Sequence, residues 1–163
     1  MELKPITIAF SELDSTGRAA IYAAEVKGGH TLTFVVLYGW TGGAQDARAA
    51  ARTSDLLDIV FTELRAQPDG PQYIVRDFSA SLADISSLSM ALERTDGGNH
   101  HVLYDLGGNA DVWGSIPCEL TCRAYSAKQP TRRDYVITNL LGFGLVDSFK
   151  VSWDDSNAVP VTI

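Results

Sequence analysis

The order of apolar and polar positions in the first part of the chain predicts two paired strands. Segments 18–26 (RAAIYAAEV) and 31–38 (TLTFVVLY) are rich in strand-forming residues and flank Lys27, Gly28 and Gly29. The two glycines can supply the positive φ angles of a two-residue hairpin turn. The pattern therefore predicts an antiparallel hairpin, and segment 5–10 (PITIAF) is compatible with a further short strand.

An amphipathic helix is predicted after the loop at residues 39–43. Its apolar side chains recur at positions i, i+3, i+4 and i+7, which places them on one stripe of a helix; they are Leu57, Val60, Phe61 and Leu64. Residues 68–71 (PDGP) end this helix. The next apolar run, residues 72–75 (QYIV), predicts a strand that ends at Asp77.

A second helix and a strand-rich second half are predicted further along the chain. Ser81 precedes an apolar face with Asp84 three residues later, as in a capped helix, and Gly97 and Gly98 follow as stop signals. Short strand patterns then alternate with turn residues in HVLYDL, CELTCRAY, RRDYVIT, GLVDSFKVSW and VPVTI. Helices among many short strands predict one α/β (α+β) domain over residues 1–163, with sheets in the centre and helices outside.

Composition and charge restrict the possible functions. The 163 residues fit one domain with a sizeable core. The formal net charge of -7 argues against a general polyanion binder, so a nucleic-acid contact would need a local basic patch. The candidate patch surrounds Tyr125 and contains four cations without an acid: Arg123, Lys128, Arg132 and Arg133. A solvated loop of ordinary charge explains these residues at least as well.

The sequence also bears on the compartment. No apolar run approaches the roughly 20 residues that a membrane-spanning helix needs, and the first residues lack a secretory pattern. Cys118 and Cys122, four residues apart on a predicted strand, are too far from each other for a disulfide. No matching zinc ligands lie nearby, so both are expected to be reduced thiols in an intracellular protein, cytoplasmic or nuclear.

The polar end of the strand at 72–77 is the first candidate for chemistry. The strand brings the carboxylate of Asp77 to its own end, and Ser79 follows two residues later. Period two along a strand points both side chains the same way, so both could reach one pocket. The alternative is that Asp77 is a solvated strand end or a cap for the following turn.

Five short segments and a long helix, in order, carry a resemblance to a known family. The segments are LYGWTGG, YIVRDFSA, LTCRAY, TRRDYVIT and SNAVPVTI, and the helix follows the first of them. From residue 17 onward the chain resembles the C-terminal two-thirds of the endonuclease/exonuclease/phosphatase superfamily. That group includes abasic-site endonucleases, DNase I-like nucleases, inositol-phosphate phosphatases and retrotransposon endonuclease domains. The resemblance implies a truncated four-layer α/β/β/α sandwich of mostly antiparallel sheets.

The resemblance further implies hydrolysis of phosphate esters with Mg²⁺ or Mn²⁺, and it assigns roles to single positions. Tyr38 matches a tyrosine that contacts the scissile phosphate. Asp77 matches an aspartate that binds water or the nucleophile, and Ser79 stands where the family has asparagine. Asp134 matches the aspartate that orients a catalytic histidine.

The chain departs from the family pattern in several places. The last motif should read serine, aspartate, histidine, one residue and proline. Here Asn157 replaces the carboxylate that would share the metal with Asp77, and Ala158 replaces the histidine. Arg76 replaces a glycine and brings a long cation beside the site, within reach of a nucleic acid. The early asparagine and the metal-binding glutamate of the family's first third have no counterpart.

These departures define the functional hypotheses. The first is a metal-dependent phosphodiesterase or endonuclease acting on nucleic acid, impaired or inactive in this chain because alanine cannot exchange a proton. The alternatives are a non-catalytic relative that binds nucleic acid or a protein, and a retroelement-derived fragment. Structural roles compete at single residues, since a strand tyrosine such as Tyr38 is more often a packing residue and Asp134 can pair with the neighbouring arginines. His100 and His101 face opposite ways on a strand, so they are not expected to serve one metal.

Overall fold

The computed structural model describes residues 1–26, 29–42, 46–80, 84–87, 100–102, 134–147, 150–151 and 161–162. Within these ranges the helices are α1 (Ile8–Ser15), α2 (Ala47–Ala66) and α3 (Leu140–Phe143). The strands are β1 (Ala19–Val26), β2 (His30–Leu37), β3 (Gln72–Asp77), β4 (His100–Val102), β5 (Asp134–Asn139), β6 (Lys150–Val151) and β7 (Val161–Thr162).

The first five strands form one mixed sheet in the order β1-β2-β3-β5-β4. β2 and β3 run parallel because α2 crosses over between them, and the other neighbours are antiparallel. β6 and β7 pair antiparallel in a separate small sheet. The described part of the chain therefore has a mixed α/β fold with mostly antiparallel strands, as the sequence predicts.

Helices α1 and α2 pack on one face of the large sheet and form the main core with it. The predicted stripe of α2 is confirmed, since all four of its apolar side chains are buried there: Leu57, Val60, Phe61 and Leu64. Ile21, Val35 and Ile74 contribute from the middle of β1, β2 and β3, and each is at most 1% exposed. Burial of this stripe holds α2 against the strands that it connects.

The helix α1 replaces the short strand expected at segment 5–10, and that expectation is wrong. Thr7 is the N-cap, and its Oγ1 accepts a hydrogen bond from the backbone N–H of Phe10 at 3.3 Å. The carboxylate of Glu63 accepts hydrogen bonds from the N–H groups of Ile6 at 2.7 Å and Thr7 at 2.8 Å. Because these donors are taken by a side chain of α2, they are not available to a strand ladder.

The hairpin between β1 and β2 forms as predicted, with a longer turn. Val26 pairs with His30, so three residues lie between the paired positions, whereas a two-residue turn was expected. Gly29 has the predicted positive φ, at 80°, and its N–H donates to the carbonyl of Val26 at 3.2 Å. The extra residue leaves the strand register intact, because β1 and β2 pair along their full length.

The start of the chain lies along the outer edge of β1. The N–H of Leu3 donates to the carbonyl of Ile21 at 2.9 Å, and the N–H of Ala23 donates to the carbonyl of Met1 at 2.8 Å. An unpaired edge would leave a row of backbone groups open to another strand. Residues 1–3 occupy part of this edge.

At the Gln72–Asn139 end of β3 and β5, polar groups satisfy each other. Asn139 Oδ1 accepts from the N–H groups of Gln72 at 3.1 Å and Gly142 at 2.8 Å, and Asn139 Nδ2 donates to the carbonyl of Gly70 at 2.8 Å. Asn139 thereby caps α3, a short helix that the sequence analysis did not anticipate. Tyr73 donates from its hydroxyl to the carbonyl of Gly142 at 2.8 Å, and burial raises the pKa of Tyr73.

Parts of the sequence prediction fall outside the described residues. Of the predicted second helix only residues 84–87 are described, and Ile85 is fully buried there. The segment CELTCRAY, with both cysteines, also lies outside. Strands β4 to β7 overlap four of the predicted strand segments, and β4 and β5 each include one residue outside them. Among the helices of the described ranges, none combines the length and apolar character that crossing a bilayer requires.

Candidate functional site

Two carboxylates face each other where β3 ends and β5 begins. The antiparallel register pairs Asp77 directly with Asp134. Ile74 lies on the helix face of the sheet, whereas Tyr73 and Val136 belong to a second cluster on the other face. Because side chains alternate along strands, Asp77 and Asp134 share the face of Tyr73 and Val136. Two carboxylates thus lie directly opposite each other on one face of the sheet, at its Asp77 end.

The turn after β3 differs from the side-by-side projection expected for Asp77 and Ser79. The strand ends at Asp77, and Ser79 has φ 50°, in the left-handed region. Asp77 Oδ1 accepts hydrogen bonds from the N–H of Ser79 at 2.5 Å and from its hydroxyl at 2.9 Å. Left-handed backbone costs a non-glycine residue about 1–2 kcal/mol, which these bonds offset. Asp77 therefore caps the turn that follows β3, which is the structural alternative to a role in a pocket.

Gly39 brings the residue after β2 close to the same turn. Its N–H donates to the carbonyl of Asp77 at 2.8 Å. A Cβ at position 39 would overlap the backbone carbonyl of Phe78, so a larger residue could not approach this closely. Tyr38 is thereby held beside Asp77, with 41% of its surface exposed.

Next to Gly39 lies a cluster that the sequence analysis did not identify. The guanidinium carbon of Arg18 is 3.6 Å from the ring centroid of Trp40, and that of Arg52 is 3.7 Å from it. Two guanidinium groups at these distances cannot share one side of the ring, so they lie on opposite faces. We call this group the arginine–tryptophan stack (Arg18, Trp40 and Arg52).

The stack is fixed from two sides. Arg18 Nη1 donates to the carbonyl of Gly39 at 3.2 Å, and the N–H of Trp40 donates to Thr53 Oγ1 at 2.9 Å. Trp40 packs against the helix-side core, and Thr53 is fully buried in α2. The three members come from the residue before β1, the residues after β2 and the exposed side of α2. A tryptophan just after a strand is a weak sequence signal, and nothing in the sequence alone pairs it with these two arginines.

Glu63 is a buried carboxylate with a structural role. Its oxygens accept from Ile6, from the N–H and hydroxyl of Thr7, and from Gln67 Nε2 at 2.7 Å. Burial by itself would raise the pKa of Glu63, but the hydrogen bonds from Ile6, Thr7 and Gln67 outweigh burial and lower it. Glu63 thus holds the start of α1 on α2, and its acceptor capacity is used within the fold.

Only some of the predicted site residues lie within the described part of the chain. Four of them, Tyr38, Asp77, Ser79 and Asp134, come together at one end of the sheet. The backbone of Arg76 lies in β3 opposite Tyr135. Its side chain lies outside the described part of the chain, as do Asn157, Arg123, Lys128, Arg132 and Arg133. His100, whose ring lies 4.6 Å from that of Phe61, is a packing residue on the helix face.

The chemistry of Asp77 and Asp134 fits a hard cation in part. Mg²⁺ and Mn²⁺ prefer oxygen ligands and are commonly held by one or two carboxylates with water and phosphate oxygens. Within the described ranges no group of three or more histidine, cysteine, aspartate and glutamate side chains is placed to hold a metal. The two facing aspartates therefore fit the limited protein contribution that Mg²⁺ needs.

Comparison with known proteins yields structural matches alone. No family model and no curated protein matches the sequence. The catalytic domain of human Nocturnin, determined with bound sulfate anion, is 21% identical over 75% of this chain, with a TM-score of 0.46. D. rerio TDP2, crystallised in complex with a single-strand DNA product, is 11% identical over 97% of this chain, with a TM-score of 0.47. This chain spans 41% of the first structure and 63% of the second.

Proposed function

We propose that this chain is a member of the endonuclease/exonuclease/phosphatase superfamily that binds a divalent cation and a nucleic-acid phosphate at the Asp77 end of its sheet. Hydrolysis is impaired or lost. The ordered sequence segments support the family, and the register that places Asp77 opposite Asp134 carries the functional argument.

A divalent cation would offset the negative charge of Asp77 and Asp134. Two facing carboxylates repel each other, and a divalent cation between or beside them turns that repulsion into attraction. Asp77 uses Oδ1 to hold the turn at Ser79. Among the described residues no donor is assigned to Asp77 Oδ2, so this oxygen is the one that would serve a cation, together with Asp134. When bound, Mg²⁺ or Mn²⁺ would neutralise charge on phosphate oxygens.

The residues that would transfer protons during hydrolysis are incomplete. Ala158 stands where the resembling family has a histidine, and a methyl group neither accepts nor donates a proton. The hydroxyl of Ser79 is already donated to Asp77, so it is not a free substitute. Loss of a general base costs about 10²–10⁴-fold in rate. Tyr38, exposed beside Asp77, is proposed to contact the phosphate. The protein is therefore expected to keep phosphate binding although hydrolysis is impaired.

Cation binding is tested by thermal unfolding and calorimetric titration with MgCl₂ and MnCl₂. The native protein should show a saturable rise in melting temperature, because a ligand of the folded state stabilises it. Asp134→Asn should abolish the rise. Asp58→Asn, which removes the same charge from an exposed position of α2, should keep it. No rise in the native protein, or an equal rise in Asp134→Asn, would refute the proposed cation site.

Hydrolysis is tested separately with labelled single- and double-stranded oligonucleotides and Mg²⁺ or Mn²⁺. Cleavage should be absent or several orders of magnitude below that of a complete family site. Robust cleavage that a chelator and Asp77→Ala both abolish would show an active enzyme and overturn the impaired state. Asn157→Asp with Ala158→His is not expected to restore full activity, because the family's metal-binding glutamate has no counterpart here.

A further inference from the structure

The arginine–tryptophan stack holds two positive charges on opposite faces of one indole ring. Each guanidinium group is attracted to the negative face of the indole ring by a cation–π contact. The guanidinium groups repel each other across the ring, since both are charged at any physiological pH. An anion that contacts either group relieves this repulsion.

The charges of Arg18 and Arg52 are not neutralised by an acidic side chain within the described part of the chain. No ion pair to Arg18 or Arg52 forms among those residues, and Arg18 uses one N–H on the carbonyl of Gly39. Arg52 is exposed on α2, and within the same ranges its guanidinium makes only the contact with Trp40. Its five N–H donors thus remain for a ligand. Stacking on the ring also fixes the guanidinium plane, which lowers the entropy cost of binding.

The geometry restricts the ligand to an oxyanion. Proteins that hold single strands often stack bases on aromatic side chains. Both faces of Trp40 are occupied by arginines, so no base can stack there. What the stack offers is a planar fork of N–H donors, which matches the oxygens of a phosphate. In a chain of net charge -7, this is a local site of opposite sign.

The stack lies next to the Asp77–Asp134 pair and is separate from it. Gly39 connects the two, because its N–H donates to the backbone carbonyl of Asp77 and its own carbonyl accepts from Arg18. Trp40 packs on the helix side of the sheet, whereas the aspartates belong to the other face. A ligand that reaches both must be longer than one phosphate group.

We propose that Arg52, held on Trp40 and supported by Arg18, binds a phosphate group of a nucleic-acid strand whose neighbouring phosphate lies at the Asp77–Asp134 pair. The choice of a nucleic acid as the source of the phosphate rests on the function proposed above. The binding of a phosphate oxyanion at Arg52 does not.

The test measures binding of a fluorescently labelled single-stranded oligonucleotide at several salt concentrations, first with Mg²⁺ and then in excess chelator. Arg52→Ala should weaken binding about tenfold and lower the slope of log K against log salt by about 0.7, the value for one phosphate contact on a single strand. Arg52→Lys should recover the charge but only part of the affinity, because lysine lacks the planar fork. Thermal unfolding verifies that each variant is folded.

The matched control is Arg65→Ala, an exposed arginine about 20 Å further along α2. Arg65→Ala removes the same charge as Arg52→Ala. Because Arg65 lies far from the arginine–tryptophan stack, this variant should change affinity less than twofold. Equal weakening by Arg65→Ala and Arg52→Ala would show a nonspecific charge effect and overturn the site. Unchanged affinity and salt slope in Arg52→Ala would do the same.

Inorganic phosphate distinguishes the two sources of the anion. It should compete with the oligonucleotide only weakly, at millimolar concentration, because it offers no second contact. If phosphate binds with the Arg52 dependence and no oligonucleotide binds, the strand is refuted as ligand. In chelator only the contact at Arg52 is left, so the effect of Arg52→Ala measured there is independent of the cation test on Asp134.

Discussion

The two ends of strands β3 and β5 are built on opposite principles. At the Gln72–Asn139 end, an amide group uses both of its atoms on backbone groups, and a buried tyrosine hydroxyl closes the turn of α3. At the other end, Asp77 faces Asp134, and Ser79 adopts left-handed backbone. One end is neutral and saturated; the other is charged, strained and next to an exposed tyrosine.

This difference separates structural from functional use of polar residues on the same two strands. Saturated polar groups specify the fold, because each one left without its partner costs free energy. Strain and like-charge contacts persist only where the rest of the fold tolerates them, and they concentrate at binding and catalytic sites. The comparison predicts that mutations at saturated positions reduce stability, whereas mutations at the Asp77 end reduce ligand binding.

The largest effect is expected at Glu63, the most saturated carboxylate described. Glu63→Gln should lower the free energy of unfolding by about 3 kcal/mol, because an amide places its NH₂ against donors that a carboxylate accepts. Urea unfolding at pH 7 measures this loss. Glu12→Gln, at an exposed position of α1, is the matched control and should change stability little.

The same carboxylate predicts a pH dependence. The folded-state pKa of Glu63 lies below its ordinary value of 4.5, so its contribution is present above that pH and is lost as pH falls through the folded-state pKa. The stability difference between the native protein and Glu63→Gln should therefore shrink below pH 4.5. A difference that stays constant into acid would contradict the lowered pKa.

Asn139→Ala tests the saturated end directly. Loss of the cap of α3 and of the bonds to Gln72 and Gly70 should cost about 2 kcal/mol. Asn139→Asp keeps an acceptor at the position of Oδ1 but turns a carboxylate oxygen toward the carbonyl of Gly70, so it should also lose stability, by about 1–2 kcal/mol. Unchanged stability of Asn139→Ala in chemical denaturation would mean that these hydrogen bonds contribute nothing.

Ser79 tests the strain at the other end. Ser79→Gly and Ser79→Ala both lose the hydroxyl bond to Asp77, but only glycine adopts left-handed backbone without cost. The glycine variant should therefore be more stable than the alanine variant by about 1 kcal/mol in thermal unfolding. At exposed Ser11 in α1 the order should reverse, because alanine favours helix over glycine by about 1 kcal/mol. If the same residue, glycine or alanine, gave the more stable variant at both positions, the backbone of Ser79 would not be strained.

The smallest effect is expected at Asp134. In chelator, Asp134→Asn should change stability by less than about 0.5 kcal/mol in either direction, because it removes a like charge opposite Asp77 and keeps an acceptor oxygen. Urea unfolding at low salt measures this effect best. A loss above about 1 kcal/mol would place Asp134 among the saturated structural groups and break the comparison.

Local sequence patterns predicted those elements whose cause is local. The stripe from Leu57 to Leu64 identified α2, and glycine identified the hairpin turn. α1 was missed because its first donors are held by Glu63, which lies 57 residues from Ile6 in the chain. The arginine–tryptophan stack was missed because its members come from three separate elements. The left-handed turn at Ser79 was missed because the strand pattern was continued past Asp77.

By itself, the sequence determined where α2, the β1–β2 hairpin and β3 form, because periodicity and turn residues act over a few neighbouring positions. It also supplied the aspartates and arginines. Only the tertiary structure decided that Asp77 faces Asp134 and that Arg18 and Arg52 share one tryptophan. These contacts depend on strand register and helix packing, which are set by burial of the whole core and not by any short segment.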